Sequence, residues 1–354
     1  MFLHEKPQSR PHARPHSVLP AVLGVIAAVF LASLSGCSRS PLPEVVVYVA
    51  HDQIYSEPIL RAFEARTGIR VKAAYDSETS KTTGLVQRLI AEATRPQADV
   101  FWNNEHAQTM RLREIGVLKK YTSPNAKTIP QAFKCPDGYW AGFGARARVI
   151  IYNTDHVSKP PDSVFDLVAP EWKGKVAIAL PLFGTTATHA AALFEQLGPE
   201  AAKRFFRDLR ANEVIVATGN SHVRDLVATG EALVGLTDTD DANCGVLDGK
   251  PVKWLFPDQQ ENGYGTLLIP NTVAIIKDGP NLEPAKQLVD FLLSTEIEIE
   301  LAGSRASQIP LHEGLEAPNE ILRLDGIRQI PIDFASMAAR VPETMIFIRE
   351  EFVR

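Results

Sequence analysis

The sequence predicts an α/β fold arranged as two lobes in series, and three observations lead there. Short β-branched runs alternate with amphipathic segments of helical spacing, the order that builds crossover units on a parallel sheet. The chain has 354 residues, enough for two domains at roughly 100–200 residues each. Hydrophobic residues make up 45% and charged residues 22%, a globular balance that disfavours disorder, collagen and multi-pass membrane architectures. The net charge of −5 disfavours a nucleic-acid binder with broad basic patches. Three cysteines are too few for a disulfide scaffold.

The N-terminus reads as an export signal. Lys6, Arg10 and Arg14 stand against only Glu5 before the apolar run Val18 to Leu34 and the small residues Ser35 and Gly36, the charged, apolar and cleavage regions of such a signal. The run contains Pro20 and falls short of the about 20 apolar residues of a membrane span. Leu34-Ser35-Gly36-Cys37 resembles the bacterial lipobox, which implies that residues 1–36 are removed, that Cys37 carries the lipid, and that 37–44 form anchor and linker. Each buried CH₂ of an acyl chain contributes about 0.8 kcal/mol to membrane attachment. Removal of 1–36 takes away three basic residues and one acid and leaves a net charge of −7. An exported compartment permits disulfides, and whether Cys135 and Cys244 pair or stand apart is open.

In the mature chain Val45-Val46-Val47-Tyr48-Val49 is a buried strand by its β-branched run. The segment His51 to Thr67 carries Ile54, Ile59, Leu60 and Phe63 on one helical face, and Gly68 ends it. Ile69 to Ala73 is the next strand, Thr82 to Ala93 a helix by Leu85, Val86, Leu89 and Ile90, and Ala98 to Trp102 a third strand. A second set begins near Val149-Ile150-Ile151-Tyr152 and includes the strand Val176 to Leu180 and helices Thr186 to Leu197 and Ala201 to Arg210. The strand Glu213 to Val216, a helix near Val223 to Val227 and the strand Leu233 to Leu236 follow. Ile269 to Ile276 is again a strand and Glu283 to Leu293 an amphipathic helix. The division expected is lobe 1 at 45–145, completed by about 270–318, and lobe 2 at 146–269, completed by about 319–354.

Ligands of open α/β sheets bind beyond the carboxyl ends of strands. Those ends are polar here: His51-Asp52-Gln53, Asp76-Ser77 and Asn103-Asn104-Glu105 in the first half, then Gly184-Thr185-Thr186, Asn220-Ser221 and Asp238-Thr239-Asp240-Asp241 in the second. Six polar strand ends together indicate a cleft lined from both lobes.

At these residues the sequence resembles the ferric-iron-type periplasmic solute-binding proteins of ABC importers. The likeness runs through Val47-Tyr48, Ala62-Phe63-Glu64, Thr67-Gly68-Ile69-Arg70-Val71, Ala98-Asp99-Val100-Phe101 with Glu105, Ala145-Arg146-Ala147-Arg148-Val149-Ile150 and Glu171-Trp172-Lys173-Gly174-Lys175-Val176. It implies the two-lobe type II periplasmic-binding-protein fold and hinge closure around one small ligand. It also implies delivery to a membrane permease and its ATPase, with no cofactor required and Fe(III) as the transported ligand. Carried over by position, Asp52 stands where the first-strand donor of the iron site would be, with His51 beside it, and Glu105 matches the third-strand glutamate. The family's tyrosine pair falls near Thr239-Asp240, and no consecutive tyrosines occur in the chain, which leaves Asp52, Glu105 and Asp240 as the metal donors to expect. The anion pocket falls on Gly184, Thr185 and Thr186, which open a helix whose N–H groups attract an anion, completed by Asn220 and Ser221.

Three carboxylates within four residues, Asp238, Asp240 and Asp241, repel unless something cationic or solvent neutralises them, and oxygen-rich sites suit hard cations. With Asp52 and Glu105 they form a carboxylate metal site, a cage for an organic amine, or a solvated loop. An EF-hand is rejected, because Ala242, Asn243 and Gly249 stand where the pattern needs a ligand, a glycine and a glutamate. His51 and His106 are the nitrogen donors on offer. The reading reached is a membrane-anchored lipoprotein of the periplasm or cell surface that captures ferric iron, with or without an accompanying anion. The alternative is the same transport role for a small organic anion or zwitterion such as a phosphonate. An enzyme is the minor alternative, since no G-x-S-x-G, P-loop, H-E-x-x-H or strand-linked G-x-G-x-x-G occurs.

Overall fold

The valine-rich run after the linker forms β1 (Glu44–Val49), and α1 (Gln53–Thr67) returns from it to β2 (Arg70–Tyr75). These come from a computed structural model that describes residues 1–2, 42–76, 83–316 and 321–353. The export segment and Cys37 lie outside the described residues. The chain divides into Met1–Leu42 and Pro43–Arg354, and the architecture below is that of the second unit.

Helix α1 buries Ile59, Leu60 and Phe63 and stops at Gly68, whose φ of 71° is left-handed and whose N–H reaches the Glu64 carbonyl. Ile54, expected on the same face, is exposed. Next come α2 (Thr83–Ala91), β3 (Val100–Asn103), α3 (Ala107–Glu114), β4 (Leu118–Lys119) and the long β5 (Ala141–Asn153). The second half holds β6 (Val176–Ala179), α4 (Gly184–Leu197), α5 (Pro199–Ala211), β7 (Ile215–Ala217), α6 (Asn220–Thr229), β8 (Val234–Asp238), α7 (Thr239–Leu247) and β9 (Val252–Leu255). The chain then adds β10 (Leu268–Ile276), α8 (Leu282–Leu292), α9 (Thr295–Gly303) and the C-terminal α10 (Phe334–Phe352).

The strands run β2-β1-β3-β10-β5-β8-β6-β7, with β4 on β10 and β9 on β5. Outer pairs such as β1/β2 and β6/β7 are parallel, whereas β5 and β10 run antiparallel to their neighbours. This is the two-lobe type II binding-protein fold, and the lobes meet on β5. Its residues up to Ala147 pair with β10, and from Arg148 onward they pair with β8. Alternation along β5 sends Phe143, Ala145, Ala147, Val149 and Ile151 into one apolar cluster, as a strand's two-residue period requires. Gly144 has a φ of 49°, and a Cβ there would stand 2.6 Å from Gln308 Oε1, so the close approach of that segment needs glycine.

Two sequence expectations change. The acidic run is the end of β8 and the first turn of α7, not a loop. β5 begins eight residues before Val149.

Candidate functional site

The carboxyl ends of β1, β3, β6, β7 and β8 converge on a cavity of about 60 Å³. Asp52, Asn104 and Arg146 line it from the first half and the crossing strand, and Gly184, Thr185, Thr186, Asn220, Asp238, Asp240 and Asp241 from the second. Helices α4, α6 and α7 all begin here; the N-cap residues of α4 and α6 make no side-chain hydrogen bond, whereas in α7 the Asp240 carboxylate accepts from the Asp241 N–H at 3.0 Å. The orphan N–H groups and macrodipoles of α4 and α6 make their part of the lining attractive to negative charge. The opposite character comes from the carboxylates: Asp238, Asp240 and Asp241 offer oxygens within 4.8 Å of one another.

Two arginines, two residues apart on β5, neutralise that acidic group. Arg148, fully buried, donates from Nη1 to Asp238 at 2.5 Å and to Asn220 at 3.1 Å. Asp238 also accepts from Thr185 Oγ1 at 2.5 Å and Asn220 Nδ2 at 2.9 Å, so it anchors the cavity wall. Arg146 donates from Nε to Asp240 at 3.1 Å, from Nη1 to the Asn104 carbonyl at 2.8 Å, and from Nη2 to His51 Nδ1 at 3.1 Å. Burial works against its charge, but Asp240, Asp238, Asp52 and Asp241 outweigh burial and raise the guanidinium above its ordinary pKa.

Of the residues expected at the site, His51, Glu105 and Ser221 lie outside the cavity lining. Glu105, expected as a metal donor, has its carboxylate engaged within the protein. Its buried carboxylate accepts from the N–H groups of Ala107 (2.6 Å) and Gln108 (3.0 Å), from Asn103 Nδ2 (3.1 Å), and from Thr188 Oγ1 of α4 (2.9 Å). It therefore closes the N-terminus of α3 and ties α3 to α4. Burial raises its pKa, and these four hydrogen bonds only partly offset that. His51 is likewise engaged, by Arg146. Because arginine only donates, His51 Nδ1 accepts from it, while the ring lies between Tyr55 and Trp102 at centroid distances of 6.1 and 5.4 Å. His106 packs 4.0 Å from the Phe334 ring with neither nitrogen hydrogen-bonded, and burial pushes its pKa down to about 3. Ser221 is the second residue of α6 and half-buried. Thr185 and Thr186 spend their hydroxyls on Asp238 and Asn220, leaving the α4 backbone to face the cavity. Cys135 and Cys244 are free thiols, with Cys244 Sγ 3.5 Å from Tyr55 Oη.

Arg146 and Arg148 are not among the site residues the sequence singles out, and Asn104 enters only as part of a polar strand end. The available signal was Ala145-Arg146-Ala147-Arg148: two charges on one face of a buried strand demand counter-charges, and the acidic run was the nearest supply.

A family described as bacterial extracellular solute-binding protein matches residues 96–325. Iron uptake protein A1 of Synechocystis is 28% identical over 292 residues, covering 76% of this chain and 79% of the relative. A putative 2-aminoethylphosphonate-binding periplasmic protein of Salmonella typhimurium is 25% identical, covering 78% of this chain and 80% of the relative. Among solved structures, iron-bound HitA from Pseudomonas aeruginosa has a TM-score of 0.79 at 23% identity, covering 88% of this chain and 99% of its own, a likeness of fold. Apo ferric ion-binding protein A of Pasteurella haemolytica has a TM-score of 0.76 at 26% identity, with 87% and 97% covered.

Proposed function

The chain belongs to the bacterial extracellular solute-binding protein family, and from that premise we propose that it captures ferric iron with an accompanying anion and delivers both to an ABC permease. The family binds and transports, and it is not a family of enzymes. The observation that carries the ligand reading is a cavity of about 60 Å³ lined by Asp52, Asp240 and Asp241 together with the opening turns of α4 and α6, whose N-cap residues make no side-chain hydrogen bond. Pockets for drug-sized ligands hold about 300 Å³ or more, so this smaller space suits an ion and a small oxyanion. Relatives named as iron uptake and ferric iron-binding proteins support the same reading.

A second reading is a phosphonate-type zwitterion, its amine on Asp52, Asp240 and Asp241 and its acid group on Gly184 to Thr186. What favours it is Arg146 among the carboxylates, the absence of consecutive tyrosines, and the phosphonate-binding relative. The lobes are taken as 45–145 with 270–318 and 146–269 with 319–354, a division supported by the partner change on β5. Lipidation at Cys37 would hold the protein at a membrane of the periplasm or cell surface.

The test is native mass spectrometry of the purified protein together with thermal unfolding in Fe(III) plus phosphate or carbonate and, separately, in 2-aminoethylphosphonate. Iron with anion at about 100 times its Kd should add about 2.7 kcal/mol of stability. Stabilisation by 2-aminoethylphosphonate and none by iron with either anion sinks the iron reading.

A further inference from the structure

The crossing strand β5 is bulged at Gly144, just before it changes partners from β10 to β8. Ala145 faces Pro270 of β10 and Phe143 faces Asn271, so Gly144 has no counterpart, and its φ of 49° marks the bend. Pro270 brings no N–H to the ladder, and Ala145 instead exchanges hydrogen bonds of 2.7 Å each way with Ile309. Side chains take up the backbone groups of the bulge. Asn271 Nδ2 donates to the carbonyls of Phe143 (3.1 Å) and Gly144 (2.6 Å), and Glu298 Oε1 of α9 accepts from the Gly144 N–H at 2.7 Å.

Glu298 is fully buried, and its other partners belong to one short segment: the N–H groups of Leu311 (2.9 Å) and His312 (3.0 Å), and His312 Nδ1 at 2.7 Å. His312 Nε2 stands 2.9 Å from the Asn125 carbonyl. A carboxylate and a carbonyl only accept, so both ring nitrogens carry hydrogen and His312 is an imidazolium paired with Glu298. Burial works against this charge; Glu298 and the Asn125 carbonyl outweigh it, with Lys134 a smaller like-charged neighbour, and His312 titrates above the ordinary histidine value. The Lys134 ammonium is held by the carbonyls of Ala126 and Lys127, and Glu313, Arg323 and Asp325 share with His312 the lining of a cavity of about 340 Å³.

Once His312 loses its proton, only one of its two contacts keeps a hydrogen, and Glu298 stays buried beside Gly144 without a counter-charge. The contribution of the pair is therefore complete below about pH 6.5 and lost as pH rises through the higher folded value. The bend held in this way belongs to an arrangement with the cleft shut, in which Thr188 of α4 reaches Glu105 and Cys244 of α7 lies against Tyr55 of α1.

We propose that Glu298 and His312 are positioning residues for closure: as an ion pair they hold the bulge of β5 in the shape that shuts the cleft, and loss of the His312 proton slackens the bulge and releases the solute. This goes beyond the choice between iron and a phosphonate and rests only on closure of two lobes around a solute.

The experiment follows, in the ligand-free full mature protein between about pH 5.5 and 9, the His312 ring protons by NMR and hydrogen exchange of the β5 segment around Gly144, corrected for intrinsic exchange. His312 should titrate above about 6.5, and protection at Gly144 should drop at least about tenfold across that same midpoint. His312→Gln, which keeps a donor without a titrating charge, should show no step. Fe(III) with phosphate and 2-aminoethylphosphonate are then each titrated into wild type and His312→Gln at every pH, a ratio that cancels the pH dependence of the solute. For the probe that binds, the advantage of wild type should shrink at least about threefold across the midpoint. A step that survives in His312→Gln, or an affinity ratio that ignores pH, overturns the proposal and leaves the iron reading standing. In wild type alone, a His312 midpoint at or below the ordinary value, or one more than about one unit from the exchange step, overturns it as well. If neither probe binds, both ligand readings fall and the exchange step alone upholds or overturns the positioning role.

Discussion

Two polar junctions join the loop after β3 to the second half of the molecule, and they are built on opposite plans. At one, Glu105 accepts from Thr188 while His106 and His189 sit beside the pair, both buried and both pushed down to about 3. At the other, Asn104 meets Arg146, which pairs with Asp240 at a cavity lined by further carboxylates. Glu105 and Asp240 are both carboxylates placed just beyond strands and both accept from amides of their own helix, yet Glu105 lies behind the cavity lining and Asp240 is part of it.

The contrast breaks most visibly at the ionic wall behind the cavity. Asp238→Asn leaves the fully buried Arg148 without its counter-charge, and a loss of about 3–5 kcal/mol is expected, measured by urea unfolding. A loss under about 1 kcal/mol would mean that the pair is not buried in solution.

The histidine-flanked junction should announce itself through pH. The native pKa of His106 is about 3 against an ordinary 6.5, and burial is the cause. Between those values the unfolded chain binds more protons, so stability is present above about 6.5 and is lost as pH falls, by about 1.4 kcal/mol per unit. His189 behaves alike, with burial the larger cause and Arg148 the smaller. Unfolding of His106→Leu between pH 6.5 and 4.5 should show a slope shallower than wild type by the share of one histidine. An unchanged slope would place a proton on His106 in the folded protein.

The smallest effects sharpen the division of labour. Glu105→Gln should cost about 1–3 kcal/mol of stability through disturbed buried hydrogen bonds and alter ligand affinity by less than about threefold. Asp241→Asn should do the reverse, with little loss of stability and an affinity at least about tenfold weaker, equal to about 1.4 kcal/mol. Calorimetry and denaturant melts on the same two variants decide it, and a large affinity loss in Glu105→Gln alone would return that residue to the ligand set.

The alternation of β-branched and amphipathic runs made the outer strands and helices of the fold readable, because each buries a face whose period is local. Glycine at 68 announced the end of α1 for the same reason. The cavity was readable in part: Asp52, Gly184 to Thr186, Asn220 and the acidic run follow strands, where ligands gather. What stayed hidden depended on pairing. Nothing local to Arg146 says that it meets His51, 95 positions away, and nothing local to Glu105 says that Thr188 and two backbone amides will use it up. Helix α10 was missed as an element, and Pro342 within it disguises an amphipathic segment that continues on both sides.

The alternation on β5 has one more consequence. Arg146 and Arg148 face away from the cluster that holds Ala145, Ala147 and Val149. A one-residue slip of this strand against its neighbours would exchange the two faces and drive both guanidiniums into hydrocarbon, at a cost of several kcal/mol per unpaired ion. The two charges therefore serve as alignment marks during assembly, penalising mispaired sheets before any solute is met.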